Sequence, residues 1–140
     1  MGKIIDNILL TPLNKIKTNA GQVMHALKAS EESYSSFGEA YFSYLRSGSI
    51  RAWKYHKIMT ANLIVPFGDI KIVFPENNSF TEVIVGENNY CRVTIPSKVW
   101  FGFMCVSKSD ALILNIANVE HQSDEVINEE LTKFNYEWKV

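Results

Sequence analysis

Short runs of β-branched and aromatic residues recur along most of this chain, and turn-forming residues separate them. Phe67-Gly68-Asp69 and Gly86-Glu87-Asn88-Asn89 are two such turns, because glycine and asparagine tolerate the backbone conformations that tight turns need. The runs occupy residues 4–13, 22–27, 39–45, 51–57, 62–66, 70–74, 80–85, 91–95, 100–106 and 111–117. Strands at roughly 8–12-residue spacing are typical of sandwiches and barrels, so we predict an all-β sandwich or barrel.

The C-terminal part of the chain departs from this pattern. Ser123-Asp124-Glu125 provides a capping residue and an acidic first turn, and Val126, Ile127, Leu131 and Phe134 follow at helix-like spacing. We therefore predict a short C-terminal helix or helical turn. At 140 residues the chain is about one domain long, so we expect a single domain over residues 1–140.

Composition excludes several classes of partner. The net charge is −1, so no overall basic field would attract nucleic acid or an anionic membrane surface. No apolar run approaches the length of about 20 residues that a membrane-spanning helix needs. Cys91 and Cys105 lie inside apolar runs without CxxC spacing, which favours buried free thiols in a reducing cytoplasm.

The most unusual segment is Arg51–Lys57, which has four basic and two aromatic side chains in seven residues. On a regular strand, side chains alternate between faces. Arg51, Trp53, Tyr55 and Lys57 would then share one face, while Lys54 and His56 would project from the other. The segment fits an anion-binding active-site strand, and it also fits a solvated edge strand whose lysines discourage aggregation.

Other residues offer weaker signals. Glu39 and Tyr41 place an acid and a phenol on one face of a strand. The aromatic residues Trp53, Trp100, Phe101 and Phe103 either line a pocket or fill the core. A metal site that includes His56 and His121 is conceivable, although the sequence contains no close pair of ligands. Phosphate-binding glycine loops, HExxH, GxSxG and paired zinc-binding cysteines are absent.

Several segments, read in order, resemble the sugar-nucleotide branch of the cupin superfamily. The segments Phe37–Ser43, Gly48–His56, Ile95–Phe103 and Ala111–Asn115 are similar to strands of the dTDP-4-dehydrorhamnose 3,5-epimerase family, including its G-x-L-R-G-L-H-Y-Q signature. Arg51–Lys57 also resembles the R-G-x-H-A-H-K strand of dTDP-sugar 3,4-ketoisomerases. The resemblance implies a cupin jelly-roll barrel in a cytoplasmic enzyme of carbohydrate and polysaccharide biosynthesis.

Two catalytic positions depart from the epimerase pattern, and Ala52 replaces the glycine of its signature. Lys54 stands where that family has its catalytic histidine, and Asn115 stands where it has its catalytic tyrosine. Arg51, which would help to bind substrate, is retained, and His56 matches the second histidine of the ketoisomerase strand. The ordinary pair of base and acid is therefore replaced in this chain.

The resemblance implies proton abstraction beside the ketone of a nucleoside-diphosphate 4-keto-6-deoxy sugar, followed by enolate formation, without a metal or cofactor. We expect His56 to be the base, with Lys54 or Arg51 near the developing oxyanion and Tyr41 as an acid. A desolvated Lys54 is an alternative base. The expected substrate-binding residues are Arg51, Glu39, Trp53, Lys57, Asn62, Trp100, Asn115 and His121.

Three other functions stay open at this point. The chain could be a 3,4-ketoisomerase, a cupin that binds a sugar nucleotide without catalysis, or a metal-dependent cupin with His56 and His121 as ligands. The resemblance also implies a homodimer formed by sheet extension, in which the N-terminal strand could be exchanged.

Overall fold

The structure, a computed structural model, describes residues 2–140. It contains thirteen strands and one short turn of 3₁₀ helix. The elements are β1 Lys3–Ile5, β2 Ile8–Pro12, β3 Lys15–Thr18, β4 Gly21–Met24, β5 Glu39–Leu45, β6 Ile50–His56, β7 Ala61–Phe67, β8 Asp69–Glu76, β9 Ser79–Gly86, β10 Cys91–Ile95, β11 Trp100–Cys105, β12 Ala111–Ala117, β13 Val126–Asn128 and the 3₁₀ turn Leu131–Lys133.

Two antiparallel sheets form the body of the molecule. The six-stranded sheet has the order β1-β2-β10-β7-β12-β5, and the five-stranded sheet has the order β13-β6-β11-β8-β9. Strands β3 and β4 make a separate hairpin. This arrangement confirms the predicted all-β jelly-roll of the cupin type. Within residues 2–140 no helix is long and apolar enough to cross a membrane.

Two predicted elements take a different form. The run at residues 4–13 is a hairpin rather than one strand, because Asp6 and Asn7 adopt positive φ angles of 47° and 72° and turn β1 back onto β2. The C-terminal helical segment is a single 3₁₀ turn, and the residues before it form β13. Val126–Asn128 are extended because they pair with the otherwise free edge of β6.

One hydrophobic core lies between the two sheets. Inward-facing residues alternate with outward-facing ones, as in β12, where Ala111 and Ile113 are buried and Leu112 is half-buried. The same core includes Ile72 and Val85 from the other sheet. Cys91 and Cys105 are both buried and free, which confirms the expectation of buried thiols. This packing positions the site, because a gap in the core between the sheets forms the cavity described below.

Different chain segments cover the outer faces of the two sheets. The C-terminal tail lies over the five-stranded sheet, where Trp53 packs edge-on against Phe134 at a centroid distance of 5.1 Å. The Lys71 amine also donates to the carbonyl of Lys139 at 2.6 Å. Residues 25–37 cover part of the six-stranded sheet, where the Arg92 guanidinium donates to the carbonyl of Ala26 at 2.6 Å and to the Glu31 carboxylate at 3.0 Å.

Candidate functional site

A β-bulge in β6 determines which face of the strand carries its basic side chains. Across the pair of strands, Phe101 lies opposite Lys54 and Phe103 lies opposite Arg51, so Ala52 and Trp53 together oppose one residue of β11. The peptide bond between Ala52 and Trp53 is cis. An extra residue reverses the alternation of side chains. The predicted separation of Arg51 from Lys54 and His56 is therefore wrong, because the bulge turns all three toward the interior.

The interior contains a small cavity of about 50 Å³ between the two sheets. A second pocket of about 210 Å³ lies beside the bulge and shares the lining residues Arg51, Lys54, Phe101 and Phe103 with the inner cavity. The inner cavity is lined by Tyr41, Ser43, Arg51, Lys54, His56, Ala61, Leu63, Phe101, Phe103, Ile113 and Asn115. All three predicted catalytic residues and two predicted substrate-binding residues thus share one space.

His56 is held by a carboxylate that the sequence prediction did not include. Its Nδ1 lies 2.6 Å from Oε1 of Glu125, and both residues are buried. The other oxygen, Oε2, accepts the backbone N–H groups of Ile58 at 3.1 Å and Met59 at 3.2 Å. Burial alone would raise the pKa of Glu125, but the hydrogen bonds from His56, Met59 and Ile58 outweigh it and hold that pKa below its ordinary value.

The contact between His56 and Glu125 determines which nitrogen of the imidazole carries the proton. Because the Glu125 carboxylate is ionised at neutral pH, Nδ1 of His56 donates to it. In the neutral ring Nε2 is then the nitrogen with a free lone pair. His56 is one of the residues that line the inner cavity.

Two cations accompany His56 on the same wall. Lys54 is half-buried, and burial, followed by repulsion from the charge of Arg51, lowers its pKa, while Glu125 opposes this shift. Arg51 is exposed at the mouth, where its guanidinium lies 6.0 Å from the centre of the Phe103 ring. The wall therefore combines a buried imidazole with a half-buried ammonium and a solvent-accessible guanidinium.

Residues of the six-stranded sheet form the wall of the inner cavity opposite β6. Tyr41 on β5 and Asn115 on β12 are directly paired across the strands, and Nδ2 of Asn115 donates to the Tyr41 hydroxyl at 3.0 Å. Oδ1 of Asn115 accepts the backbone N–H of Asn62 at 3.1 Å. The side chain of Asn62 faces away from the cavity and accepts a hydrogen bond from Thr94 at 2.6 Å. Asn62 thus contacts the site through its backbone.

The remaining predicted substrate-binding residues do not line the inner cavity, although Trp53 lines the second pocket beside the bulge. Trp53 is buried beneath the C-terminal tail, and its indole N–H donates to the carbonyl of Leu131 at 3.1 Å. Trp100 packs against Tyr55 on the outer face of the sheet, with 5.1 Å between the ring centres. Lys57 is exposed beyond the end of β6. The bulge explains the position of Trp53, because it directs that side chain outward while Arg51 and Lys54 face inward.

Glu39 and His121 meet away from the cavity. The Glu39 carboxylate accepts the backbone N–H of His121, whose side chain lines a separate surface pocket of about 450 Å³. His121 and His56 are therefore not arranged as two ligands of one ion. Within residues 2–140, no group of three histidine, cysteine or acidic side chains is placed to hold a metal.

Glu125 and the lining residue Ser43 are the functional candidates that sequence reasoning missed. Glu125 was interpreted as part of the acidic first turn of a helix. The sequence contains one signal for it, because Glu120–Glu125 is similar to an acidic segment of the epimerase family and Ser123-Asp124-Glu125 is similar to part of the ketoisomerases. The pattern does not indicate which of its carboxylates turns inward, and that depends on the pairing of β13 with β6.

No protein-family profile and no curated protein matches the chain. Several solved structures match the chain. A dTDP-sugar isomerase from Desulfovibrio desulfuricans G20 is 29% identical, with a TM-score of 0.89 over 96% of this chain and 92% of that one.

Two further structures share the fold at lower identity. A dTDP-4-dehydrorhamnose 3,5-epimerase from Sulfolobus tokodaii has a TM-score of 0.83 at 16% identity, covering 99% of this chain and 86% of that one. A sugar 3,4-ketoisomerase from Thermoanaerobacterium thermosaccharolyticum, in complex with TDP, has a TM-score of 0.76 at 15% identity, covering 90% of each chain. The chain thus has the cupin fold of dTDP-sugar isomerases and epimerases, and the resemblance to the sugar-nucleotide cupins predicted from its sequence is confirmed.

Proposed function

We propose that this protein is an isomerase or epimerase that acts on a nucleoside-diphosphate 4-keto-6-deoxy sugar. The observation that carries the proposal is the buried pair of Glu125 and His56 on the wall of the inner cavity. Enolate chemistry needs a base that titrates near neutral pH beside the carbon it deprotonates. His56 is the imidazole on the cavity wall, and the Glu125 carboxylate can stabilise the positive charge that this ring acquires when it takes up a proton.

The neighbouring cations suit the intermediate that deprotonation creates. When His56 removes a proton from the carbon beside the ketone, negative charge develops on the carbonyl oxygen. A positive group fixed in a partly desolvated site stabilises such an oxyanion more than the same group in water. Lys54 is the residue on the same wall that can serve this purpose. Its lowered pKa also makes it the alternative base.

The second pocket, beside the bulge, suits the diphosphate part of the substrate. The inner cavity of about 50 Å³ is too small for a whole nucleotide, so we place the diphosphate at the second pocket of about 210 Å³ beside the bulge. Arg51 lines both spaces, and a guanidinium binds phosphate oxygens through two parallel hydrogen bonds. The ligands named for similar structures, TDP and dTDP-4-keto-L-rhamnose, support a nucleotide sugar as the substrate class.

A second candidate is a cupin that binds the sugar nucleotide without turning it over. The observation that favours it is the replacement of the expected tyrosine by Asn115 and of the expected histidine by Lys54. Binding and catalysis differ in one measurable respect. Only the enzyme makes the proton beside the ketone exchange with solvent.

The test is incubation of the protein with dTDP-4-keto-6-deoxyglucose in heavy water, with deuterium in the recovered sugar measured by mass spectrometry and NMR. We expect incorporation with the unaltered chain and its loss in His56→Ala, with nucleotide affinity largely kept. His25→Ala is the matched control, because that histidine does not line the cavity and should leave exchange unchanged.

Two results would contradict this assignment. Binding without exchange, for every 4-keto sugar nucleotide tried, would establish the non-catalytic cupin instead. Near-normal exchange in His56→Ala would show that another group, such as Lys54, is the base. Identification of the product by NMR then separates epimerisation from 3,4-ketoisomerisation, because only the latter moves the carbonyl group.

We also propose that the protein is a homodimer in the cytoplasm. Phe42, Tyr44 and Phe67 are all at least 60% exposed, and they lie on the outer face of the six-stranded sheet. Exposed apolar patches of this kind commonly mark interfaces. The location is supported by the two buried free thiols, which suit a reducing compartment.

A further inference from the structure

Asn128 lies beside the basic residues of the second pocket. It is the last residue of β13 and pairs directly with Lys54 of β6. The next residue, Glu129, exchanges two backbone hydrogen bonds with Trp53, at 2.9 and 3.0 Å. Because hydrogen-bonded and non-hydrogen-bonded pairs alternate along an antiparallel ladder, Asn128 and Lys54 form a non-hydrogen-bonded pair, in which the side chains lie closest. The carboxamide of Asn128 therefore projects from the same face of the sheet as the Lys54 ammonium.

Asn128 is also the side chain that gives the second pocket a neutral hydrogen-bond donor of its own. Five residues line this pocket but not the inner cavity, namely Ile50, Ala52, Trp53, Asn128 and Glu129. The indole N–H of Trp53 already donates to a backbone carbonyl, and a carboxylate such as Glu129 can only accept. The carboxamide of Asn128 is exposed, and within residues 2–140 it has no hydrogen-bond partner. It is therefore available to a ligand in the pocket.

The charges around Asn128 favour an anion as that ligand. In the part of the chain that the structure describes, neither Arg51 nor Lys54 forms an ion pair. Burial and the charge of Arg51 both lower the pKa of Lys54, so an anion in the pocket would relieve the repulsion between the two cations. Glu129 pairs directly with Trp53, whose side chain lies on the outer face, so its carboxylate projects from that face as well. The inner face therefore presents positive charge together with a neutral amide.

We propose that Asn128 binds the diphosphate of the sugar nucleotide, and that its Nδ2–H group donates to a phosphate oxygen beside Arg51. This inference rests on the proposed function and adds a substrate-binding residue to it. The positive charge of Lys54 attracts the carbonyl oxygen Oδ1 of the neighbouring amide, which leaves Nδ2 to face the ligand. A hydrogen bond to a charged oxygen is stronger than one between neutral groups, so this amide contributes to affinity although it has no charge.

The test is calorimetric titration of dTDP and of dTDP-glucose into the unaltered chain and three variants. Asn128→Ala should weaken both ligands by about 10-fold, because a hydrogen bond to a charged group is lost. Asn128→Asp keeps the shape of the side chain but should weaken both by about 100-fold or more, since a carboxylate cannot donate and repels the diphosphate. Asn135→Asp is the matched control, because it makes the same change of charge at an exposed asparagine that lines a different pocket. It should leave both affinities unchanged.

Several results would overturn the proposal in distinguishable ways. Unchanged affinity in Asn128→Ala would show that the side chain does not contact the ligand. Full or tighter binding in Asn128→Asp would show that this position accepts a hydrogen bond from a hydroxyl group. Weakening confined to dTDP-glucose would assign the contact to the sugar. If the unaltered chain bound neither ligand, the proposed function itself would fail. Urea unfolding midpoints, expected to be unchanged at this exposed position, show that the variants are folded.

Discussion

At the scale of single residues, the carboxylate of Glu125 is the group on which the site depends most. It holds His56 through Oε1 and the backbone of Ile58 and Met59 through Oε2. One side chain therefore fixes both the imidazole and the chain that follows β6. The three hydrogen bonds need an ionised carboxylate, because a protonated one would have to donate one of the bonds that it now accepts.

We predict that Glu125→Gln lowers the exchange rate by about 100-fold or more, because the amide holds the ring without supporting the charge that forms on it. The substitution should also change the pH dependence of stability. Since the pKa of Glu125 is lowered by folding, its ionised form contributes stability above the unfolded value of 4.5, and this contribution is lost as pH falls toward the folded pKa.

The measurement is the free energy of unfolding in urea from pH 7 to pH 3. Glu125→Gln should lose less stability than the unaltered chain below a pH of about 4.5, where the carboxylate would become protonated. Asp124→Asn is the control, because it removes the neighbouring exposed acid. Parallel curves for Glu125→Gln and the unaltered chain would mean that Glu125 is not ionised in the folded protein.

At the scale of elements, the bulge in β6 decides which residues reach the cavity. Ala52 and Trp53 share one partner position, which is occupied by Gly102 of β11. A side chain there would place its Cβ 2.5 Å from Cβ of Ala52 and 3.0 Å from Cε3 of Trp53. Glycine is therefore needed at this position for close packing of the two strands, and this contact keeps Arg51 and Lys54 on the inner face.

We predict that Gly102→Ala destabilises the protein by about 1–3 kcal/mol, because an extra methyl group in a packed interior forces its surroundings to shift. It should also weaken nucleotide-sugar binding, since the strand that shifts includes Arg51. Unfolding in urea and titration calorimetry measure the two effects. Combining it with Ala52→Gly removes the closest contact and should recover part of the lost stability. Full stability in Gly102→Ala would show that the strands are not held at this distance.

At the scale of the whole molecule, the outer faces of the two sheets differ in how they are covered. The C-terminal tail closes the outer face of the five-stranded sheet, whereas residues 25–37 close only part of the other. Tyr44, Leu112 and Phe67 form a row across three neighbouring strands in the open part. A continuous apolar surface of this kind is better explained by a second copy than by contact with water.

We predict that Phe42→Glu separates the proposed dimer and raises its dissociation constant by about 10-fold or more, because a charge would be buried against an apolar face. Sedimentation at several concentrations measures this. Ile84→Glu is the control, since Ile84 is similarly exposed at 51% but lies on the other sheet. A monomeric unaltered protein, or a dimer that only Ile84→Glu disrupts, would show that this surface is not the dimer interface.

The sequence by itself determined the class of fold and five of the eleven residues that line the inner cavity. Alternation and turn chemistry are local properties, so the strands around Gly68 and Gly86 could be predicted, and the density of charge in β6 singled out Lys54 and His56. The partner of His56 could not be found in this way, because Glu125 is 69 residues distant and reaches it only when β13 pairs with β6.

The tertiary structure alone decided which way the site residues face. Arg51 lies on the same face of β6 as Lys54, and Trp53 lies on the outer face beneath the C-terminal tail. The cause is the β-bulge, in which two residues of β6 pair with a single residue of β11. Glu39 and His121 meet outside the cavity for a similar reason, since their positions depend on the path of the chain after β12. Direction on a strand follows from its register with a neighbour, which is a property of two segments that are distant in the chain.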